Sequence, residues 1–274
     1  MTLCAWIPIV ISILTPPIES PMVLKWLRPL LDYFEYEQII ETSPIDVRQE
    51  LVDGKKSYII AAQPHGVISF CGICSSARAP DVFRGKLKTA VASAVLMTPF
   101  LKNLMGIFGL VDASKESLKR HFHANPPGIP SSVVLYVGGM AELFLSSPKE
   151  ERLFLANRKG FIKLALVQGI DVVPVYFFGN TSILSVLPSS LLANLSRKLQ
   201  VSLTFFWGKW GLPIPRDEKL LYVSGQPIGI PHIPKPTQED IDKWHGKYLE
   251  EVTRIFNQYK ERVPAYKHKR LVIV

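Results

Sequence analysis

His65 stands in the run IIAAQPHGVISF, residues 59–70, where an apolar β-forming stretch meets a turn carrying Pro64 and Gly66. A chain that needed only to turn could use Asn, Asp or Gly there. An imidazole at that place has two readings, a hydrogen-bonded capping side chain or a general base. Two further polar-glycine clusters bear on the choice. VGGMAE sets Gly138, Gly139 and Glu142 after an apolar stretch ending at Val137, and FFGN sets Gly179 and Asn180 after another. A carboxylate holding one ring nitrogen of a histidine fixes its tautomer and supports the imidazolium. The other nitrogen is then free to take a proton from an attacking hydroxyl. Backbone N–H groups around Gly66 or Gly138-Gly139 could stabilise an oxyanion. If a substrate alcohol attacks directly, no activated serine is needed, and the sequence has no G-x-S-x-G elbow.

These residues have to be positioned by regular elements. Continuously apolar runs at Tyr58–Ala62, Leu87–Ala92, Ser132–Val137, Val172–Phe177 and Leu220–Ser224 read as strands covered on both faces, with Val201–Phe206 a further candidate. Helical patterns lie between them, at Ser114–His123 and Arg158–Gln168. The last begins at a capping box, Thr237-Gln238-Glu239-Asp240, and keeps Ile241, Trp244, Tyr248, Val252, Ile255 and Tyr259 on one face. The alternation predicts an α/β fold, a mixed, mainly parallel sheet flanked by helices. Functional residues of such sheets gather just beyond strand C-termini. The three polar-glycine clusters all fall there, and they meet if their strands are neighbours.

The rest of the chain narrows the partners. A formal charge of +9 over 274 residues implies an anionic partner. The positive charges are scattered, without a basic helix interleaved with aromatics, so nucleic acid is disfavoured against lipid headgroups or a phosphorylated small molecule. Three cysteines cannot make a staple framework, which fits a reducing compartment. The C-x-x-C pair Cys71 and Cys74 has no second pair at zinc spacing, and no P-loop or dinucleotide fingerprint is present. Residues 1–18 carry no charge. The apolar run Leu3–Leu14 would span about 18 Å as a helix, short of the roughly 30 Å of a bilayer core. It is interrupted by Pro8 and ended by Pro16-Pro17. It lacks the basic start and small-residue cleavage site of a secretory signal. With a second arm, Met22–Leu31, it reads as a short membrane-embedded hydrophobic hairpin or re-entrant anchor; the alternative is a buried helix packed on the core. The expected division is a membrane anchor at 1–40 and a catalytic domain at 41–274.

QPHG, then VGGMAE, then NRKGFIKLALVQGIDVVPVYFFGN, WGLPIP and PTQEDIDKWHGKYLEEV, in that order between about Ser57 and Val263, resemble the type 2 diacylglycerol acyltransferase family. That family also holds the monoacylglycerol and wax-alcohol acyltransferases. The resemblance implies a glycerolipid acyltransferase-like fold and transfer of a fatty acyl group from acyl-CoA to a lipid hydroxyl, with no metal or redox cofactor. It implies residence at the endoplasmic reticulum membrane, with a cytosolic catalytic face, or at lipid droplets; homo-oligomerisation is left open. The family's HPHG histidine falls on His65, the base, and its glutamate after the double glycine on Glu142. Gln63, Pro64 and Gly66 of the first motif, with Gly138 and Gly139 of the second, would contact substrate. Asn157, Arg158, Lys159 and Gly160 resemble the family's basic motif, where an Arg fork could meet CoA phosphates; the alternative is an ordinary solvated helix start. Two departures stand out. Gln63 replaces the first histidine of HPHG, and Phe70 occupies the place where more distant glycerolipid acyltransferases carry an Asp. Acyl-chain lining is expected from Val95-Leu96-Met97, Phe100-Leu101, Leu104-Met105, Phe108 and Phe144; the equal alternative for each is plain core. The favoured acceptor is diacylglycerol. The alternatives are a monoacylglycerol, long-chain alcohol or sterol acceptor, or a catalytically silent lipid- or acyl-CoA-binding membrane protein.

Overall fold

The computed structural model describes residues 3–54, 56–80, 82, 87–124, 131–139, 142, 149–187 and 205–274. Its frame is a seven-stranded sheet built from β1 (Glu37–Ile40), β2 (Tyr58–Gln63), β3 (Leu87–Val91), β4 (Leu110–Asp112), β5 (Ser132–Tyr136), β7 (Asp171–Phe178) and β10 (Leu221–Ser224). Across the sheet the order is β1-β10-β7-β2-β5-β3-β4. The five strands from β7 to β4 run parallel; β10 pairs antiparallel with β7, and β1 runs with β10. This is the mixed, mainly parallel sheet expected of the sequence. β6 (Glu150–Leu153) pairs with β11 (Arg270–Ile273), and β8 (Ser185–Val186) with β9 (Phe206–Trp207), in two small separate ladders.

Strand alternation divides the core into two layers. Ile59 and Ala61 of β2, Val133 of β5, and Val172, Tyr176 and Phe178 of β7 face α9 (Gly160–Gln168) and α10 (Gln238–Tyr259). Tyr58, Ile60 and Ala62, with Val134 and with Val173, Val175 and Phe177, face the opposite layer. That layer contains α2 (Pro21–Trp26), α3 (Pro29–Tyr33), α4 (Val47–Asp53) and α5 (Phe70–Arg78). Both faces of the central strands are covered, which explains why their sequences are continuously apolar. The capping box forms as expected: Thr237 Oγ1 accepts the Asp240 N–H at 3.1 Å, and Asp240 Oδ2 accepts the Thr237 N–H at 2.9 Å. The helix it starts buries Ile241, Tyr248, Val252 and Ile255.

The remaining helices are α1 (Leu3–Leu14), α6 (Ser93–Met97), α7 (Leu101–Gly106) and α8 (Lys115–Ala124). No helix among the described residues is long and apolar enough to cross a membrane. The N-terminus is one 12-residue helix followed by two short ones, rather than a hairpin of two matched arms. Residues 21–40, expected within a separate anchor, join the body instead. Leu24 and Phe34 are fully buried in the core, and β1 is an edge strand of the main sheet. Most of the candidate strand Val201–Phe206 lies outside the described residues, as does Phe144.

Candidate active site

His65 follows β2 directly, and its ring is set by three neighbours. Nδ1 lies 2.7 Å from the Gly66 carbonyl oxygen, which can only accept, so the proton of the neutral ring sits on Nδ1 and Nε2 keeps its lone pair. The ring packs edge-on against Tyr136 with centroids 4.6 Å apart. Tyr136 reaches it because β5 lies beside β2, with Ala62 and Tyr136 paired in register. The turn is held from the third side by Asn180, which is buried just after β7. Its Nδ2 donates to the carbonyls of Pro64, at 3.2 Å, and His65, and its Oδ1 accepts the Cys71 N–H in the first turn of α5 at 3.1 Å. Gly66 is required at this clamp. Its φ is +63°, and a Cβ there would meet the Asn180 carbonyl oxygen at 2.8 Å.

Glu142 is buried, and its Oε2 accepts the backbone N–H of His65 at 3.1 Å. The expected contact between this carboxylate and an imidazole nitrogen is therefore corrected: the Gly66 carbonyl makes the ring contact, and Glu142 holds the main chain. The side chain can lie there only because residue 138 is glycine, since a Cβ would stand 1.9 Å from Glu142 Oε1. Burial pushes the Glu142 carboxyl up to about 8. The His65 N–H pulls against that shift and the Glu151 charge adds to it. At neutral pH the group is largely a neutral acid. Burial also lowers the pKa of His65, opposed by its bond to Gly66, which leaves the imidazole neutral and able to take a proton.

His65 is half-buried because it borders a cavity of about 610 Å³ on the α5 side of the sheet. Most of the wall is apolar, with Val67, Ile73, Val82, Val95, Met105 and Phe108 among its residues; Tyr136, Tyr222 and Ser69 add polar atoms near the sheet. Of the residues expected to line an acyl site, Val95, Leu101, Met105 and Phe108 do so. Met97, Phe100 and Leu104 face outward instead.

The expected site residues fall into three places. His65 and Gly139 border the cavity. Gln63, Pro64, Gly66, Gly138 and Glu142 lie behind it as support. Gln63 has the parity of Ile59 and Ala61, so its side chain enters the opposite layer, where Oε1 accepts the Tyr248 hydroxyl at 2.6 Å. It cannot touch a ligand in the cavity, which corrects its expected substrate contact. Asn157, Arg158, Lys159 and Gly160 lie at the exposed start of α9, off the cavity wall. Arg158 stacks over the Phe154 ring and Lys159 pairs with Asp242 at 2.7 Å. Asn180 and Tyr136 are the working residues that sequence reasoning left without a role. Their only signal was position, at or just beyond the C-terminal ends of β7 and β5. Among the described residues no cluster of three or more His, Cys, Asp or Glu could hold a metal ion.

The match that decides the family runs over residues 21–274 and is to the model described as diacylglycerol acyltransferase. The chain belongs to that family. Diacylglycerol O-acyltransferase 2 from Dictyostelium discoideum is 33% identical over 262 residues, covering 89% of this chain and 74% of that protein. The human protein of the same name is 30% identical over 265 residues, covering 89% of this chain and 66% of its own length. Human 2-acylglycerol O-acyltransferase 3 is 31% identical over 262 residues, covering 87% and 73%. The chain thus spans about two thirds to three quarters of these relatives. Among solved structures, the 1-acyl-sn-glycerophosphate acyltransferase PlsC from Thermotoga maritima superposes with a TM-score of 0.49 at 13% identity, covering 87% of this chain and 80% of that one. Within the family, the two supports of the His65 backbone, Glu142 and Asn180, describe how this member fixes its QPHG turn.

Proposed function

We propose that this chain transfers a fatty acyl group from acyl-CoA to the free hydroxyl of diacylglycerol, giving triacylglycerol and CoA. The observation that carries the reading is a neutral imidazole with a free Nε2 at the wall of a large, mostly apolar cavity. The acceptor hydroxyl gives its proton to His65 Nε2 as its oxygen bonds to the thioester carbonyl carbon. The tetrahedral intermediate collapses by breaking the C–S bond, and the CoA sulfur leaves with the proton that His65 returns. Thioester and alcohol become ester and thiol, so no electron changes hands. Gly139, whose backbone is in the cavity wall with φ +61°, is the glycine placed to offer an N–H to the oxyanion. Glu142 and Asn180 act through the main chain by fixing the loop that carries the base. The exposed Arg158 and Lys159 are off the cavity, so a role for them is confined to the CoA phosphates outside it. The enzyme resides at the endoplasmic reticulum membrane or on lipid droplets. The net charge of +9 favours both polyanionic acyl-CoA and anionic headgroups.

The acceptor is tested by incubating membranes containing the chain with labelled oleoyl-CoA and a panel of lipid alcohols. Labelled triacylglycerol from diacylglycerol is the expected product. Label in diacylglycerol after supplying a monoacylglycerol would move the acceptor and keep the chemistry, a reading favoured by the similarity to the human 2-acylglycerol enzyme. Acyl-CoA binding without any ester would make the chain a silent binding protein.

A further inference from the structure

Water-soluble proteins place apolar side chains against the body and polar ones outward. α1 does the reverse. Its contacts with the body are polar: Ser12 Oγ donates to Asn103 Oδ1 at 2.6 Å and accepts the Phe100 N–H at 2.6 Å. Just beyond it, Thr15 accepts from Asn103 Nδ2, and Lys102 Nζ donates to the Ile13 carbonyl at 2.8 Å. Of residues 6–14, Ser12 is the buried one, while Trp6 (63% exposed), Ile11 (55%) and Leu14 (76%) point away from the body. The segment that receives α1 is inverted in the same way. Asn103 and Lys102 of α7 turn toward α1, whereas Met97 (73% exposed) and Leu104 (66%) turn outward.

Two inverted segments bonded to each other present an apolar surface that water alone does not favour. Two features of the surroundings identify what covers it. Lys25 and Arg28 on α2 and its C-terminal turn are exposed cations, and Glu19 beside them is neutralised by Lys88. The segment that follows α1, tied to the end of α7 by the Ser20 N–H bond to the Ile107 carbonyl, therefore carries a positive excess, which suits anionic headgroups around an acyl interior. The surface is also continuous with the cavity. Leu101 and Thr98 are exposed and at the same time line the cavity, and the half-buried Met105 of α7 lines it beside them.

We propose that α1 and the α6–α7 segment together insert into one leaflet of a lipid surface without crossing it, and that α7 is the passage between that leaflet and the cavity. The second half rests on the acyltransferase reading; the first does not. The sequence placed the lipid contact in residues 1–40 alone. The structure adds a second element about ninety residues away in the chain, joined to α1 by the bonds above.

The test uses the full chain and the variants Ile11→Lys and Met97→Lys/Leu104→Lys, whose sites are exposed and off the cavity wall, with Trp210→Lys as a still more exposed control elsewhere. Flotation is measured with vesicles of phosphatidylcholine and of phosphatidylcholine with phosphatidylserine. Both variants are expected to lose about tenfold or more in vesicle partitioning, with unchanged melting temperature, and Trp210→Lys to keep it. Binding by wild type should rise with phosphatidylserine. Undiminished flotation of Met97→Lys/Leu104→Lys, an equal loss in the control, or conversion of a dimer to a monomer with flotation intact would each overturn the proposal. For the passage, ester formation with acceptor in vesicles should fall with the Met97/Leu104 variant. Turnover of a short-chain acceptor dissolved in water should stay at the wild-type level. Equal turnover of both acceptors by that variant would overturn the passage. A wild type that floats but makes no ester would defeat the acyltransferase reading and leave the lipid-facing surface standing.

Discussion

Glu142 Oε2 accepts the backbone N–H of His65 at 3.1 Å, across 77 positions of sequence. The carboxyl therefore locates the base without touching its ring. That relationship separates two roles which a histidine–carboxylate pair often combines: Gly66 sets the tautomer, and Glu142 sets the place. Removal of each has a different expected outcome.

Glu142→Gln keeps a carbonyl oxygen for the His65 N–H and resembles the neutral acid present at pH 7. It is expected to retain most of kcat. Glu142→Ala leaves a part-buried N–H without its acceptor, at about 1–3 kcal/mol, and lets the turn shift. It should lower kcat on the order of a hundredfold with KM for acyl-CoA little changed. Steady-state kinetics of the pair decides it. Equal losses in both variants would assign the carboxylate a charged role instead.

The raised pKa of Glu142 makes stability depend on pH. The folded carboxyl keeps its proton up to about 8, whereas the unfolded one releases it near the ordinary value of 4.5. Between those values the native state binds more protons, so stability falls as pH rises through that window. The slope from this group reaches at most about 1.4 kcal/mol per pH unit. Denaturant titrations at pH 5 and pH 8 should show this fall in wild type, and Glu142→Gln should reduce it.

Gly138→Ala is expected to lower kcat about as far as Glu142→Ala does, because its Cβ would occupy the space of Glu142 Oε1. The loss should not add to that of Glu142→Ala, since both act by removing the same support. A double-mutant cycle measures it. Full additivity would mean that residue 138 has another task. Gly139→Ala differs, with open space for a Cβ but φ +61°, and should cost about 1–2 kcal/mol through the backbone alone.

Asn180→Asp replaces an amide donor by a carboxylate facing the Pro64 and His65 carbonyls. It should lower kcat more than Asn180→Ala and lower the melting temperature as well. If Asn180→Asp were as active as wild type, the clamp would have no bearing on the base.

The central strands, the capped final helix and the convergence of the three polar-glycine clusters were legible because each depends on local pattern: apolar runs, a capping box, glycines beyond strand ends. Strand neighbours then did the rest, with β2 flanked by β5 and β7. The direction of individual side chains was not legible. Gln63 was expected at the substrate, yet the period of two carries it into the far layer to meet Tyr248. Glu142 was expected at the ring because a sequence shows that a carboxylate is near but not which atom it meets. The short strands β4 and β11 were missed because too few residues carry a pattern. The apolar N-terminus was recognised, but its partner, α6–α7, reads in sequence as acyl-chain lining or core. Only the exposure of Met97 and Leu104 reveals the inversion.

His65→Ala, assayed beside wild type for ester formation from labelled oleoyl-CoA and diacylglycerol, tests the base most directly. Equilibrium binding of oleoyl-CoA is measured on the same preparations. Wild type should form triacylglycerol, with kcat/KM rising through a pKa below the usual histidine value and level at neutral pH. His65→Ala should bind oleoyl-CoA as tightly and form no ester. Turnover by His65→Ala at the wild-type rate would contradict the account.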